Sequence, residues 1–302
     1  MYNTVKSILS DDKNYISNFS RLIVIDYYLK ENVRGKVMLD IVDANGNLVS
    51  HYSNDDTLYK IPAVNIPLFW IRPQQVLSAK AGAHRFLWDM HYTPLNLPAS
   101  YPISAIYKNT APLPTSPWAM PGNYTIKLSV NGQVFSQPLL IKMDPRVKTS
   151  LADLQKHHDL SMLCYEARKK ISAIADETVS LHNQVKELTK KTKAELTASL
   201  NNFDKKIMNI DKGEPGNKSK NFSHIYNSFA TLVDILQESD MPVTSHVANA
   251  VKDNELQLKQ LDEYWSKIKS AEVPKLNDTL KSAGLPETIK IEIEIEIEMD
   301  KH

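Results

Sequence analysis

The spacing of apolar residues changes at Pro145, and that change constrains the fold of this chain more than any motif does. Before it, apolar residues alternate with polar ones; after it, they recur at intervals of three and four. In "YTIKLSVNGQVF", Tyr124, Ile126, Leu128 and Val130 alternate with Thr125, Lys127 and Ser129, which buries one face of a strand and wets the other. Asn131-Gly132 supplies the positive φ of a tight hairpin turn. Phe135, Leu139, Ile141 and Met143 keep one parity in the strand that follows, where Pro138 lacks the N–H that a ladder needs and so predicts an edge.

A second Asn-Gly pair, Asn45-Gly46, sits between apolar runs in "KVMLDIVDANGNLVSHYS" and predicts another hairpin. "RLIVIDYYLK" and "AGAHRFLWDMHY" add strands, the latter with Phe86, Trp88 and Met90 on one side and Arg85, Asp89 and His91 on the other. Pro-rich stretches at 62–80 and 94–121 flank it. Six or so short strands joined by turns predict an antiparallel β-sandwich of Ig-like type over 21–146, after an irregular segment at 1–20.

Past Pro145, Leu160, Cys164, Ala167, Ile171, Ile174, Thr178, Leu181, Val185 and Leu188 form a heptad seam on one long helix, with Ser150 and Asp153 at its start. Leu196, Leu200, Phe203, Ile207 and Ile210 mark a second helix, which "DKGEPGNKSK" ends. A third carries Phe222, Ile225, Phe229, Leu232 and Leu236, and a fourth runs from Val247 to Ile268 behind a Thr244 cap. The expected class is α+β in two domains, with a helical bundle of about four helices over 147–285. Asp144-Pro145-Arg146 is the expected hinge between them. The remainder, 286–302, alternates Ile with Glu; as an extended strand it would have one apolar and one acidic face.

Composition closes several functional classes. Lys and Arg number 36 against 35 Asp and Glu, so a net charge of +1 offers no attraction to nucleic acid. No stretch approaches the run of about 18 apolar residues that spans a membrane, and the N-terminus has no signal-peptide h-region. With 8 glycines and no phosphate-binding loop, dinucleotide fingerprint, Cys-x-x-Cys pair or His-Glu-x-x-His motif, no cofactor is expected.

The chemistry-bearing residues read blandly. Asp153 and His157, with His158 beside them, fall short of the three or four ligands a metal takes and read as a solvated helix start. His84, Asp89 and His91 lack a placed nucleophile. Cys164 falls on the helix seam as a small buried hydrophobe, and Trp88 and Trp265 read as core. Trp70, Tyr107 and Trp118 stand apart because they lie in Pro-rich loops. They form a candidate binding surface for a glycan or a partner, against the alternative that they fold back over the sandwich or the bundle.

Three segments carry a family resemblance: "VIDYYLKENVRGKVMLDIVDANGNLV", "IPLFWIRPQQVLSAKAGAHRFLWDMHY" and "PGNYTIKLSVNGQVFSQPLLIKMDPRVKTSLADLQKHHDLSMLCYEARK". Ile25 to Leu29, Trp88-Asp89, Pro121 to Thr125 and Asp144 to Arg146 are its most specific parts. Together, over about residues 22–285, they resemble the C-terminal region of bacterial glycosyl-hydrolase-like proteins of the sortilin or sialidase type. In those proteins a β-propeller with Asp-box (BNR) repeats precedes a small sandwich like the flagellar hook-capping Ig-like domain, and then helices. The Asp-box pattern Ser-x-Asp-x-Gly-x-x-Trp does not occur here. The resemblance therefore implies a fragment with a fortuitous start at Met1 and no carried-over catalytic residue. Its expected role is a non-catalytic accessory module that contacts a propeller domain, with glycan binding through the loop aromatics or homo-oligomerisation through the 160–188 seam as alternatives. Relatives of this kind suggest a secreted or periplasmic setting.

Overall fold

The computed structural model describes residues 22–58, 60–61, 66–95, 101, 107–213, 221–285 and 289–290. The expected features at 1–20, at 214–220 and beyond 290 lie outside them. The class is α+β, with antiparallel sheets and a mainly helical second half. By its contacts the chain divides into two compact units: residues up to His158 together with Asp240–Pro242, and Asp159–Ser239 with Val243 onward. The division falls between His158 and Asp159, whereas the sequence places the change of period at Pro145.

The first unit holds β1 (Ile23–Leu29), β2 (Val37–Asp43), β3 (Leu48–Ser53), β4 (Gly82–Trp88), β5 (Gly122–Val130) and β6 (Gln133–Ile141). β1 pairs with β4, and the other four form an antiparallel sheet in the order β3-β2-β5-β6. One hydrophobic cluster draws on both sheets: Ile25, Tyr27, Leu29, Phe86 and Trp88 from the first, Val37, Leu39, Ile41, Ile126 and Leu128 from the second. The alternation in β5 is kept, with Tyr124, Ile126 and Leu128 buried.

Two turns show how local chemistry sets register. Asn131 and Gly132 both take positive φ, 51° and 76°, so Val130 pairs with Gln133 across a two-residue turn. The Asn45-Gly46 loop is wider. Asp43 Oδ1 accepts the N–H groups of Asn45 and Asn47 at 2.9 and 2.8 Å, and a register shift follows at Ile41/Val42. Pro138 lies on β6, an edge strand, where its missing N–H costs no ladder bond.

One side-chain assignment differs from the sequence expectation. Met90 takes φ 61°, a left-handed backbone that breaks the alternation after Trp88. His91, expected beside Arg85 and Asp89 on the polar side, is instead 5% exposed.

The second unit is built on α1 (Leu151–Thr189) from Asp159 onward, α2 (Ala194–Lys212), α3 (Phe222–Gln237), α4 (Ser245–Lys267) and α5 (Val273–Ser282). Ser150 Oγ accepts the Asp153 N–H at 3.1 Å, Asn221 caps α3 through the His224 N–H, and Thr244 caps α4 through the Val247 N–H. Between α4 and α5 the helix continues through a π-turn, Ile268–Glu272. Pro274, in the first turn of α5, has no N–H for the carbonyl four residues back, and the widened turn accommodates it. All five helices feed one core cluster that includes Ile171, Leu181, Val185, Leu200, Ile207, Phe229, Val251, Trp265 and Leu280. The α1 seam is thus buried within the chain's own helical unit. Among the described residues, no helix is long and apolar enough to cross a membrane.

Arg85 and Asp26 face each other across β1 and β4 and form a two-pronged ion pair, Nε to Oδ1 and Nη2 to Oδ2, both 2.8 Å. The guanidinium hydrogen bonds hold the Asp26 carboxyl below its ordinary value. A carboxyl depressed on folding adds stability that is present above its unfolded pKa and lost as pH falls through the folded one. Arg85→Ala should lower the urea midpoint slightly at pH 7, as the loss of an exposed ion pair does. Urea midpoints of variant and parent should then converge below the folded-state pKa of Asp26; a gap that persists in acid would contradict this.

Candidate aromatic binding surface

The chain makes its one-turn 3-10 helix, Leu68–Trp70, inside "IPLFWIRP" because prolines fix both flanks. Pro67 enters it at φ −60°, and the Trp70 and Ile71 N–H groups donate back to the Pro67 and Leu68 carbonyls at 2.9 and 3.1 Å. A distant turn at Tyr107–Asn109 meets this loop through the main chain. Ile71 and Thr110 form a parallel bridge, with the Arg72 N–H donating to the Thr110 carbonyl at 2.8 Å and the Thr110 N–H to the Trp70 carbonyl at 3.1 Å. Arg72 Nε also donates to Asn109 Oδ1 at 2.9 Å. Ile71 and Thr110 are buried, so the bridge is shielded from water.

This pairing places three rings together. Tyr107 lies 6.0 Å from Trp70 and 6.3 Å from Phe69, at interplanar angles of 85° and 67°, the edge-to-face arrangement that aromatic quadrupoles favour. Lys108 takes φ 56°, an uncommon left-handed conformation for a lysine, and its Nζ lies 5.2 Å from the Tyr107 ring centroid. Leu68, Phe69 and Tyr107 are 62%, 65% and 58% exposed, while Trp70 is half-buried beneath them. The cluster thus leaves the large apolar side chains of Leu68, Phe69 and Tyr107 accessible to water.

Of the three aromatics that the sequence singles out, the structure brings Trp70 and Tyr107 together and puts Trp118 elsewhere. Trp118 stacks on His91 with centroids 3.9 Å apart and pairs with it in an antiparallel bridge. The His91 carbonyl accepts from Trp88 Nε1 at 3.0 Å and from Ser50 Oγ at 2.6 Å, and Ser116 Oγ donates to the Tyr92 carbonyl at 2.6 Å. Trp118 is thus part of a packed corner. Leu68 and Phe69 are the members that sequence reasoning missed. Their signal was present, four consecutive apolar residues, Leu68 to Ile71, between two prolines.

Among the described residues, Ser50, His84 and Cys164 have the following surroundings. Ser50 is buried and spends its hydroxyl on the His91 carbonyl, so it faces no imidazole nitrogen. His84 Nε2 contacts the Lys80 carbonyl at 2.6 Å, away from Asp89. Burial pushes the Cys164 thiol up to about 12, which leaves it a packed hydrophobe with no thiolate at neutral pH. Among the described residues, no group of three or more His, Cys, Asp or Glu is placed to hold a metal, Asp153 and His157 included.

Compared with known proteins, the chain matches no family model, no curated protein and no solved structure.

The two kinds of aromatic should respond differently to truncation. Trp118→Ala removes a half-buried ring from its stack and should cost about 1–3 kcal/mol. Phe69→Ala should stay within about 0.5 kcal/mol of the parent, as exposed substitutions do. Chemical denaturation of both variants checks the contrast, and equal losses would contradict the assignment.

Proposed function

We propose that this chain is a non-catalytic interaction region: an Ig-like sandwich formed by the two sheets, followed by a helical domain, that offers the Leu68, Phe69, Trp70 and Tyr107 surface to a protein partner. The observation that carries the reading is the cluster itself, pre-formed by main-chain hydrogen bonds yet exposed in its largest side chains. Exposed aromatics held in place lose little entropy on binding, which is why such residues dominate interface energetics. The resemblance to sortilin- and sialidase-type propeller proteins supplies the partner, a β-propeller domain. A flat sugar ring is a poorer fit: with Trp70 and Tyr107 at 85°, it could stack on only one of them at a time.

The test pairs this chain with a propeller domain taken from a full-length relative. Calorimetry should show binding that Phe69→Ala combined with Tyr107→Ala weakens at least tenfold, about 1.4 kcal/mol. Absence of binding, or a double variant that binds as the parent does, would refute the reading. A saturable change in tryptophan fluorescence with a glycan, lost in Trp70→Ala, would replace it with carbohydrate recognition.

A further inference from the structure

Beyond α5 the chain makes a contact of a different kind, independent of the aromatic surface. Two side-chain amides hold residues 289 and 290 by their main chain. The Ile289 N–H donates to Asn277 Oδ1 at 2.7 Å, and Asn277 Nδ2 donates to the Ile289 carbonyl at 2.9 Å. The Lys290 N–H donates to Gln184 Oε1 at 2.8 Å, and Gln184 Nε2 donates to the Lys290 carbonyl at 2.9 Å. A residue that gives both its N–H and its carbonyl to one partner is extended, and successive residues of an extended chain aim these pairs to opposite sides. Asn277 on α5 and Gln184 on α1 therefore stand where flanking strands would stand in a sheet. Gln184 Nε2 also lies 3.3 Å from Ser180 Oγ, which orients the amide.

The side chains divide the recognition further. Ile289 is 3% exposed and belongs to the helical core cluster, whereas Lys290 points into solvent. We propose that the α1–α5 groove is a peptide-binding site that reads main chain: it takes an extended segment with one aliphatic anchor followed by an unrestricted residue. Its occupant is this chain's own Ile-x segment, exchangeable with the same segment supplied in trans. All four hydrogen bonds go to main-chain atoms, so selectivity resides in the anchor slot alone. The sequence repeats that anchor at 289, 291, 293, 295 and 297, each separated by one residue, so a shift of two residues presents the same chemistry to both amides. This is strand addition carried out by two carboxamide side chains, Asn277 and Gln184, in place of a sheet edge.

A full-length variant combining Ile289→Ser, Ile291→Ser, Ile293→Ser, Ile295→Ser and Ile297→Ser removes every anchor and empties the slot. A fluorescein-labelled peptide of residues 286–292 should bind this variant saturably by anisotropy. It should bind at least tenfold more weakly to the unaltered chain, whose own segment competes, and at least tenfold more weakly once Asn277→Ala is added. Failure to bind a variant with undiminished helical circular dichroism overturns the proposal, as does equal binding with and without Asn277→Ala. Should the five changes unfold the chain, amide exchange on the otherwise unaltered protein decides. Asn277→Ala should speed the Ile289 amide at least tenfold while Gln184→Ala does so for Lys290; unchanged rates overturn the inference.

Discussion

A helix of 39 residues with an apolar seam draws most of its stability from packing of that face, and covering the seam is the constraint on which the second unit depends. Cys164, Ile171, Thr178, Leu181, Val185 and Leu188 are all buried, and every later helix contributes side chains to the same cluster. Several polar groups drawn into this environment are paired. Glu177 accepts from Trp265 Nε1 and Lys269 Nζ, both at 2.8 Å, where α1 meets the π-turn. Thr178 returns its hydroxyl to the Ile174 carbonyl at 2.8 Å, which lets a polar residue occupy a seam position. The Ile289 anchor extends the same logic, since it fills an apolar slot while amide side chains satisfy the backbone that accompanies it.

The first unit solves a different problem. Its core draws on the strands and on Leu77 and Ala119 from the connecting segments, while Leu68, Phe69 and Trp70 contribute no side chain to that cluster. What fixes the loop is main chain, through the Ile71 and Thr110 bridge. Aromatic side chains exposed on a segment tied down in this way are preorganised, the property on which the proposed partner contact relies.

Much of the fold was legible because periodicity reports burial directly. The β5 alternation, the α1 seam and the caps at Ser150 and Thr244 follow from residue type and spacing. His91 was not legible, because the left-handed turn at Met90 that redirects it uses a residue with no preference for positive φ. Nor was the π-turn, since Pro274 announces a missing hydrogen bond but not how the helix absorbs it. The aromatic site was half legible. Trp70 and Tyr107 could be named as loop aromatics, but their meeting depends on a bridge between residues 39 positions apart, Ile71 and Thr110, which no local pattern encodes. The grip of Gln184 on Lys290 spans 106 positions and left no trace in the spacing at all.

The claim at the centre is that Phe69, Trp70 and Tyr107 form one ordered cluster with its outer rings in water. Proton NMR on the unliganded chain tests it most directly, by combining ring-to-ring nuclear Overhauser contacts with a soluble paramagnetic agent. Cross-peaks from Tyr107 to both Phe69 and Trp70, with Phe69 and Tyr107 strongly broadened by the agent and Trp118 protected, are the predicted result. Absent cross-peaks, or a Phe69 ring shielded as well as Trp118, would contradict the account.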